Sequence, residues 1–129
     1  MKLYVREEGS GVVRSHVASA ELVSTSRVAY PEACAAFARR HREGGLGAAG
    51  LRRAVAALDR DLAALVVIEL DEMVAREAGR LAEQHALRGF DAIHLASALT
   101  LGRLLGSTPA FAAFDDRLVA VAVAHGLTV

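Results

Sequence analysis

Only one cysteine, Cys34, occurs in the 129 residues. No internal disulfide can form, and a zinc site built from cysteines alone is excluded. Such sparing use of cysteine suits the reducing cytoplasm. Aromatic residues are also scarce, at 5%, although 53% of the chain is hydrophobic. Strands favour β-branched and aromatic side chains, so this alanine- and leucine-rich mix fits packed helices better than a β-sandwich. An excess of either charge is missing too, with Lys+Arg and Asp+Glu both totalling 15. Proteins that hold nucleic acid by electrostatics alone are usually basic, so any RNA or DNA contact must be local, transient or shared with a partner. No apolar run approaches the roughly 20 residues needed to span a membrane. Residues 1–8 are too short and too acidic for a signal peptide. One domain over residues 1–129, without repeats or linker, is the expectation.

What is present alternates between helical and strand-like patterns. Ser10 can cap a helix carrying Val13, Val17 and Ala20. Residues 22–25 read as a short strand. The next helix opens at Ser26 or at Pro31, runs to Arg39-Arg40-His41-Arg42 and stops at Gly44-Gly45. Leu51, Val55, Leu58, Leu62 and Leu65 mark an amphipathic helix, and residues 66–70 form a β-branched strand. Asp71 can cap a helix bearing Val74, Ala78, Leu81 and His85 on one face. From Asp91 to about Leu105 the chain is apolar on nearly every side, which predicts a buried helix. Pro109 precedes a strand over 110–114, Asp115-Asp116 opens a last helix, and 127–129 form a final strand. Strands alternating with helices predict a three-layer α/β/α fold around a parallel sheet. Chemistry in such sheets collects beyond the carboxyl ends of the strands, where Glu32, Asp115 and Asp116 fall.

Three segments carry more than architecture: Tyr30-Pro31-Glu32, then Gly89-Phe90-Asp91-Ala92-Ile93-His94-Leu95-Ala96-Ser97-Ala98, then Phe111-Ala112-Ala113-Phe114-Asp115-Asp116-Arg117-Leu118. Together they resemble the PIN domain, and within it the VapC-like toxins of toxin–antitoxin pairs; the likeness covers almost the whole chain. The resemblance implies a metal-dependent endoribonuclease using Mg²⁺ or Mn²⁺, neutralised by a small antitoxin and assembled as a homodimer. It places Glu32, Asp91 and Asp115 as catalytic carboxylates, with Asp91, Asp115 and the adjoining Asp116 at the metal. Hard cations take oxygen ligands, so carboxylates are the side chains this chemistry requires. Family members also begin with an apolar strand ending in Asp-Thr-Ser or similar, just before the segment matching Lys2-Leu3-Tyr4-Val5. The resemblance therefore implies that the first, central strand and its aspartate are absent. Ala113 stands where the family usually has Thr or Ser, and Pro31 lies within the helix that presents the glutamate.

Plainer readings stand beside these. Asp91 can be an acid favoured by a helix dipole, and Asp115-Asp116 a cap and its neighbour. His94 can be a ligand or a structural histidine, while His16, His41, His85 and His125 are read as scattered surface residues. Arg39, Arg40 and Arg42, with Arg52 and Arg53 close in sequence, are either a solvated helix end or an RNA-contacting edge. A rival from another class is a truncated, inactive PIN remnant that serves only as a protein-binding or dimerisation module. An unrelated acid-pocket domain, receiver- or phosphatase-like, is the third option.

Overall fold

Apolar residues stepping by three and four, punctuated by Asp caps and glycines, fold as helices throughout. The computed structural model describes residues 10–129. The order of elements is α1 (Ser10–Ser19), β1 (Ser24–Ser26), α2 (Ala29–Arg42), α3 (Ala48–Ala64), β2 (Val66–Ile68), α4 (Glu72–His85), α5 (Gly89–Leu105) and α6 (Asp116–Ala124). Residues 2–9, which carry part of the family likeness, lie outside the described residues. β1 and β2 form a two-stranded sheet. Val66 donates to the Val23 carbonyl at 3.1 Å and Arg27 to that of Ile68 at 2.9 Å, so the strands run parallel. The expected α/β class holds with a sheet much reduced in size among the described residues.

The chain divides into two compact units. In the first, which includes Ala29–Val66, α2 and α3 pack as consecutive helices. Phe37, fully buried, anchors a core with Ala33, Ala54 and Leu58. α2 begins at Ala29, between the two starts that the sequence offers. Pro31 therefore sits in the first turn, where backbone N–H groups have no intrahelical acceptor and a missing donor costs nothing. Ser26 ends β1 instead of capping α2; its Oγ is buried without a hydrogen-bond partner among the described residues. α2 stops where Gly44 adopts φ +76°, a conformation open to glycine, and Gly45 donates back to the Arg40 carbonyl at 2.9 Å. Hydrogen bonding to Asp59, reinforced by the charge of that carboxylate, pushes the Tyr30 hydroxyl pKa up to about 12.

The second unit, Thr25–Val28 with Val67–Val129, is built on the pairing of α4 with α5. Ala92, Leu95 and Ala96 of α5 are fully buried against Val74, Ala78 and Leu81 of α4 and Leu118, Val121 and Ala122 of α6. α5 is thus buried as its apolar sequence predicts, but its end is open, with Leu104 at 72% exposure. Gly102 admits the close approach of the following loop, because a Cβ there would meet Pro109 Cδ at 3.0 Å and the Ser107 carbonyl at 3.1 Å. Arg103 forks onto Glu77 with a bond of 3.1 Å and a second, shorter one, tying α5 to α4. Asp71 caps α4 as the sequence predicts, its Oδ1 accepting from Val74 N–H at 2.9 Å. Asp71→Ala should therefore lower stability by about 1 kcal/mol, or roughly 3–5 °C in Tm by calorimetry. A melting temperature equal to that of the parent chain would count against the cap.

Four strand expectations need correction. The first lies at 24–26 rather than 22–25, because Leu22 is exposed and the ladder begins at Val23. The second ends at Ile68, since Glu69 turns to Arg27, with one bond of 2.9 Å, and Asp71 starts the cap of α4. Segments 110–114 and 127–129 form no named strands, only a parallel bridge between Ala110 and Thr128, with Phe111 donating to the Thr128 carbonyl at 2.7 Å. Alanine is a weak strand former and Pro109 brings no N–H, so little drives a longer ladder there.

Candidate active site

Two helix N-termini of the second unit carry the acids. Arg88 precedes α5 in extended conformation without a side-chain cap, and Asp91 follows in the first turn. A carboxylate there is favoured by the partial positive charge of the exposed N–H groups. Asp91 is half-buried, and its carboxylate is engaged by no hydrogen bond or ion pair among the described residues. Asp115 is the N-cap of α6; its Oδ1 accepts from Leu118 N–H at 2.9 Å. That bond fixes the carboxylate and leaves Oδ2 available. Capping is thus established for Asp115, and it is compatible with a metal role. Asp116, the first residue of α6, is exposed. Each of the two motifs also places an exposed ring directly before its acid, Phe90 at 53% and Phe114 at 58%.

The remaining expected residues belong to the first unit. Glu32 lies in the first turn of α2, half-buried and with a partner of its own. Arg39, Arg40, His41 and Arg42 make up the last turn of α2, where cations complement the helix dipole. Arg39 and Arg42 are exposed, and His41 Nδ1 lies 2.7 Å from the Leu46 carbonyl. Back on α5, the Ser97 hydroxyl donates to the Ile93 carbonyl at 2.8 Å, which spends it on its own helix. His94 is half-buried and also partnered.

Among the described residues, no three His, Cys, Asp or Glu side chains gather closely enough to hold a metal. The donors are nonetheless of the right kind for a hard divalent ion, being carboxylate oxygens with unspent lone pairs on Asp91 and Asp115. Mg²⁺ typically keeps several waters and takes only one or two protein carboxylates, so a sparse donor set fits it. A cavity of about 370 Å³ lies by the C-terminal end of α5, lined by Gly102, Ser107, Thr108, His125 and Leu127 among others, and by none of the acids. The structure also brings together His85 and His125, which the sequence shows only as isolated histidines. Their separation of 40 residues matches no motif, so no signal short of the fold joins them.

The PIN domain model matches residues 2–124. Two ribonucleases of Mycobacterium tuberculosis are similar to the chain: Ribonuclease VapC45 of strain CDC 1551 / Oshkosh and Ribonuclease VapC49 of strain ATCC 25618 / H37Rv. Each is 40% identical over 102 residues, covering 79% of this chain and 71% of the relative. No helix among the described residues is long and apolar enough to cross a membrane.

Proposed function

The chain belongs to the PIN domain family, and from that premise we propose that it is a VapC-like endoribonuclease dependent on a divalent metal. One observation carries the reading: Asp91 and Asp115 stand at the N-terminal ends of α5 and α6 with carboxylate oxygens to spare, each behind an exposed phenylalanine. Asp91 and the free oxygen of Asp115 would hold the ion, with Asp116 assisting. The ion, Mg²⁺ or Mn²⁺, supplies an acidified water and offsets charge on the attacked phosphate. Asp115 is held in one orientation by its cap bond, so it meets a ligand with little further ordering. Phe90 and Phe114 offer faces for unpaired bases to stack on, which is how single-stranded RNA is commonly held. Glu32 is the further catalytic carboxylate that the resemblance adds. A small antitoxin as inhibitor, a homodimer and a cytoplasmic setting complete the proposal.

The test is RNA cleavage by the full chain in Mg²⁺ or Mn²⁺. Cleavage is expected to stop with EDTA and to return with either ion. Intact RNA under both ions, with antitoxin binding or dimerisation preserved, would favour the non-catalytic binding module instead.

The arginine cluster gives a separate expectation. If Arg39 and Arg42 neutralise phosphates, replacing both by alanine weakens RNA binding uniformly across sequences. The slope of log affinity against log salt then falls by about one for each phosphate left without its arginine. An unchanged slope in a filter-binding titration leaves the cluster as a solvated helix end.

A further inference from the structure

His85 lies in the last turn of α4, and His125 caps the C-terminal end of α6. Their Nε2 atoms are 3.0 Å apart, and the rings meet edge to face at 87° with centroids 5.1 Å apart. Two imidazole nitrogens at that distance share a proton, one ring donating it and the other accepting. Both rings also stand at helix C-termini, whose unpaired carbonyls carry partial negative charge and favour a cation.

We propose that His85 and His125 form a binding site for a transition-metal ion of the Zn²⁺, Ni²⁺ or Cu²⁺ type, which ties the end of α4 to the end of α6. These ions take neutral imidazole readily. A zinc–nitrogen bond is about 2.0–2.1 Å long, so two nitrogens can share one ion only within roughly 4.2 Å of each other. The observed 3.0 Å meets that limit without moving either helix, but the rings point almost straight at each other, so each must turn by roughly 40° to aim its lone pair at a shared ion. The proton between the rings then moves to Nδ1 of the ring that carried it, by exchange with water. A neutral pair thus loads the metal with no net proton release. Among the described residues, no third His, Cys, Asp or Glu joins the pair, so waters fill the other positions. Mg²⁺, which prefers oxygen ligands, does not compete well at two imidazoles. This site stands apart from Asp91 and Asp115 in its residues and in its preferred ion, and does not depend on the ribonuclease reading.

The test uses the full chain stripped with EDTA and dialysed, then titrated with Zn²⁺ alone by calorimetry and with Cu²⁺ alone by electron paramagnetic resonance. Binding that requires both histidines is expected, with a copper spectrum split by two nitrogens. At a tenfold excess over Kd, Zn²⁺ should raise Tm by about 5 °C. His85→Gln and His125→Gln should each weaken Zn²⁺ binding at least tenfold, and millimolar Mg²⁺ should not displace the ion. His16, His41 and His94 remain in both variants and report any background. Metal-free melting temperatures serve as the folding control, and the copper spectrum of the unaltered chain needs no variant at all. Zn²⁺ affinity unchanged in either variant, or a copper spectrum with fewer than two histidine nitrogens, overturns the proposal.

Discussion

Replacing Asp91 by asparagine is expected to lower metal-dependent RNA cleavage by about 100-fold or more while leaving the fold in place. The substitution keeps the shape of the side chain and removes its negative charge. A ligand removed from the ion costs transition-state stabilisation of about 3 kcal/mol, and each 1.36 kcal/mol is tenfold in rate. Stability should suffer far less. The carboxylate has no hydrogen bond or ion pair among the described residues, so the variant forfeits only its favourable place near the N-terminus of α5, about 0.3–1 kcal/mol. Cleavage under single-turnover conditions and the melting temperature separate the two effects. Asp115→Asn sharpens the comparison, because asparagine caps a helix about as well as aspartate. If both variants cut RNA within threefold of the parent, the acids are helix-end residues and the metal site lies elsewhere.

The second large effect concerns folding. Phe37→Ala is expected to cost about 3–5 kcal/mol, the usual range for emptying a fully buried aromatic position. Whole domains are stable by roughly 5–15 kcal/mol, so this is a large fraction of the total. Among the described residues, Phe37 is the one large side chain fully buried in a core whose other buried members are Ala33, Ala54 and Leu58. The two alanines are small and cannot collapse into the space. Leu95→Ala, at the centre of the other core, should cost about 2–5 kcal/mol but leaves eleven further buried residues in its cluster among the described residues. Amide exchange distinguishes the two. Phe37→Ala should lose protection chiefly in α2 and α3, Leu95→Ala in α4 and α5. Uniform loss in both variants would show that the units open as one.

Helix positions are largely legible in the sequence because their signals are local. Asp71 and Asp115 cap where their type and place demand, and Gly44 ends α2 where a left-handed residue is needed. Leu51, Val55 and Leu58 mark the inward stripe of α3. Strands are read less well because their existence depends on partners far along the chain. Ala110 and Phe111 resemble a strand by position, yet only one bridge forms there. The acids of the candidate site stand out through motifs rather than geometry, and Asp115 reveals its cap role through the same residue type that suits a metal. The histidine pair is invisible in the sequence, since only the packing of α4, α5 and α6 brings the rings of residues 85 and 125 together.

The pairing of consecutive helices, α2 with α3 and α4 with α5, bears on how fast the protein acquires its structure. Each hairpin closes a short loop, so its formation carries little entropic cost of bringing distant segments together. Chains rich in such neighbouring pairings reach the native state in microseconds to milliseconds, ahead of proteins dominated by long-range strand pairing. The sheet reduces to three-residue strands and a lone bridge among the described residues, so little slow register search stands in the way. The two helical hairpins should therefore assemble early and leave the sparse strand pairing to form last.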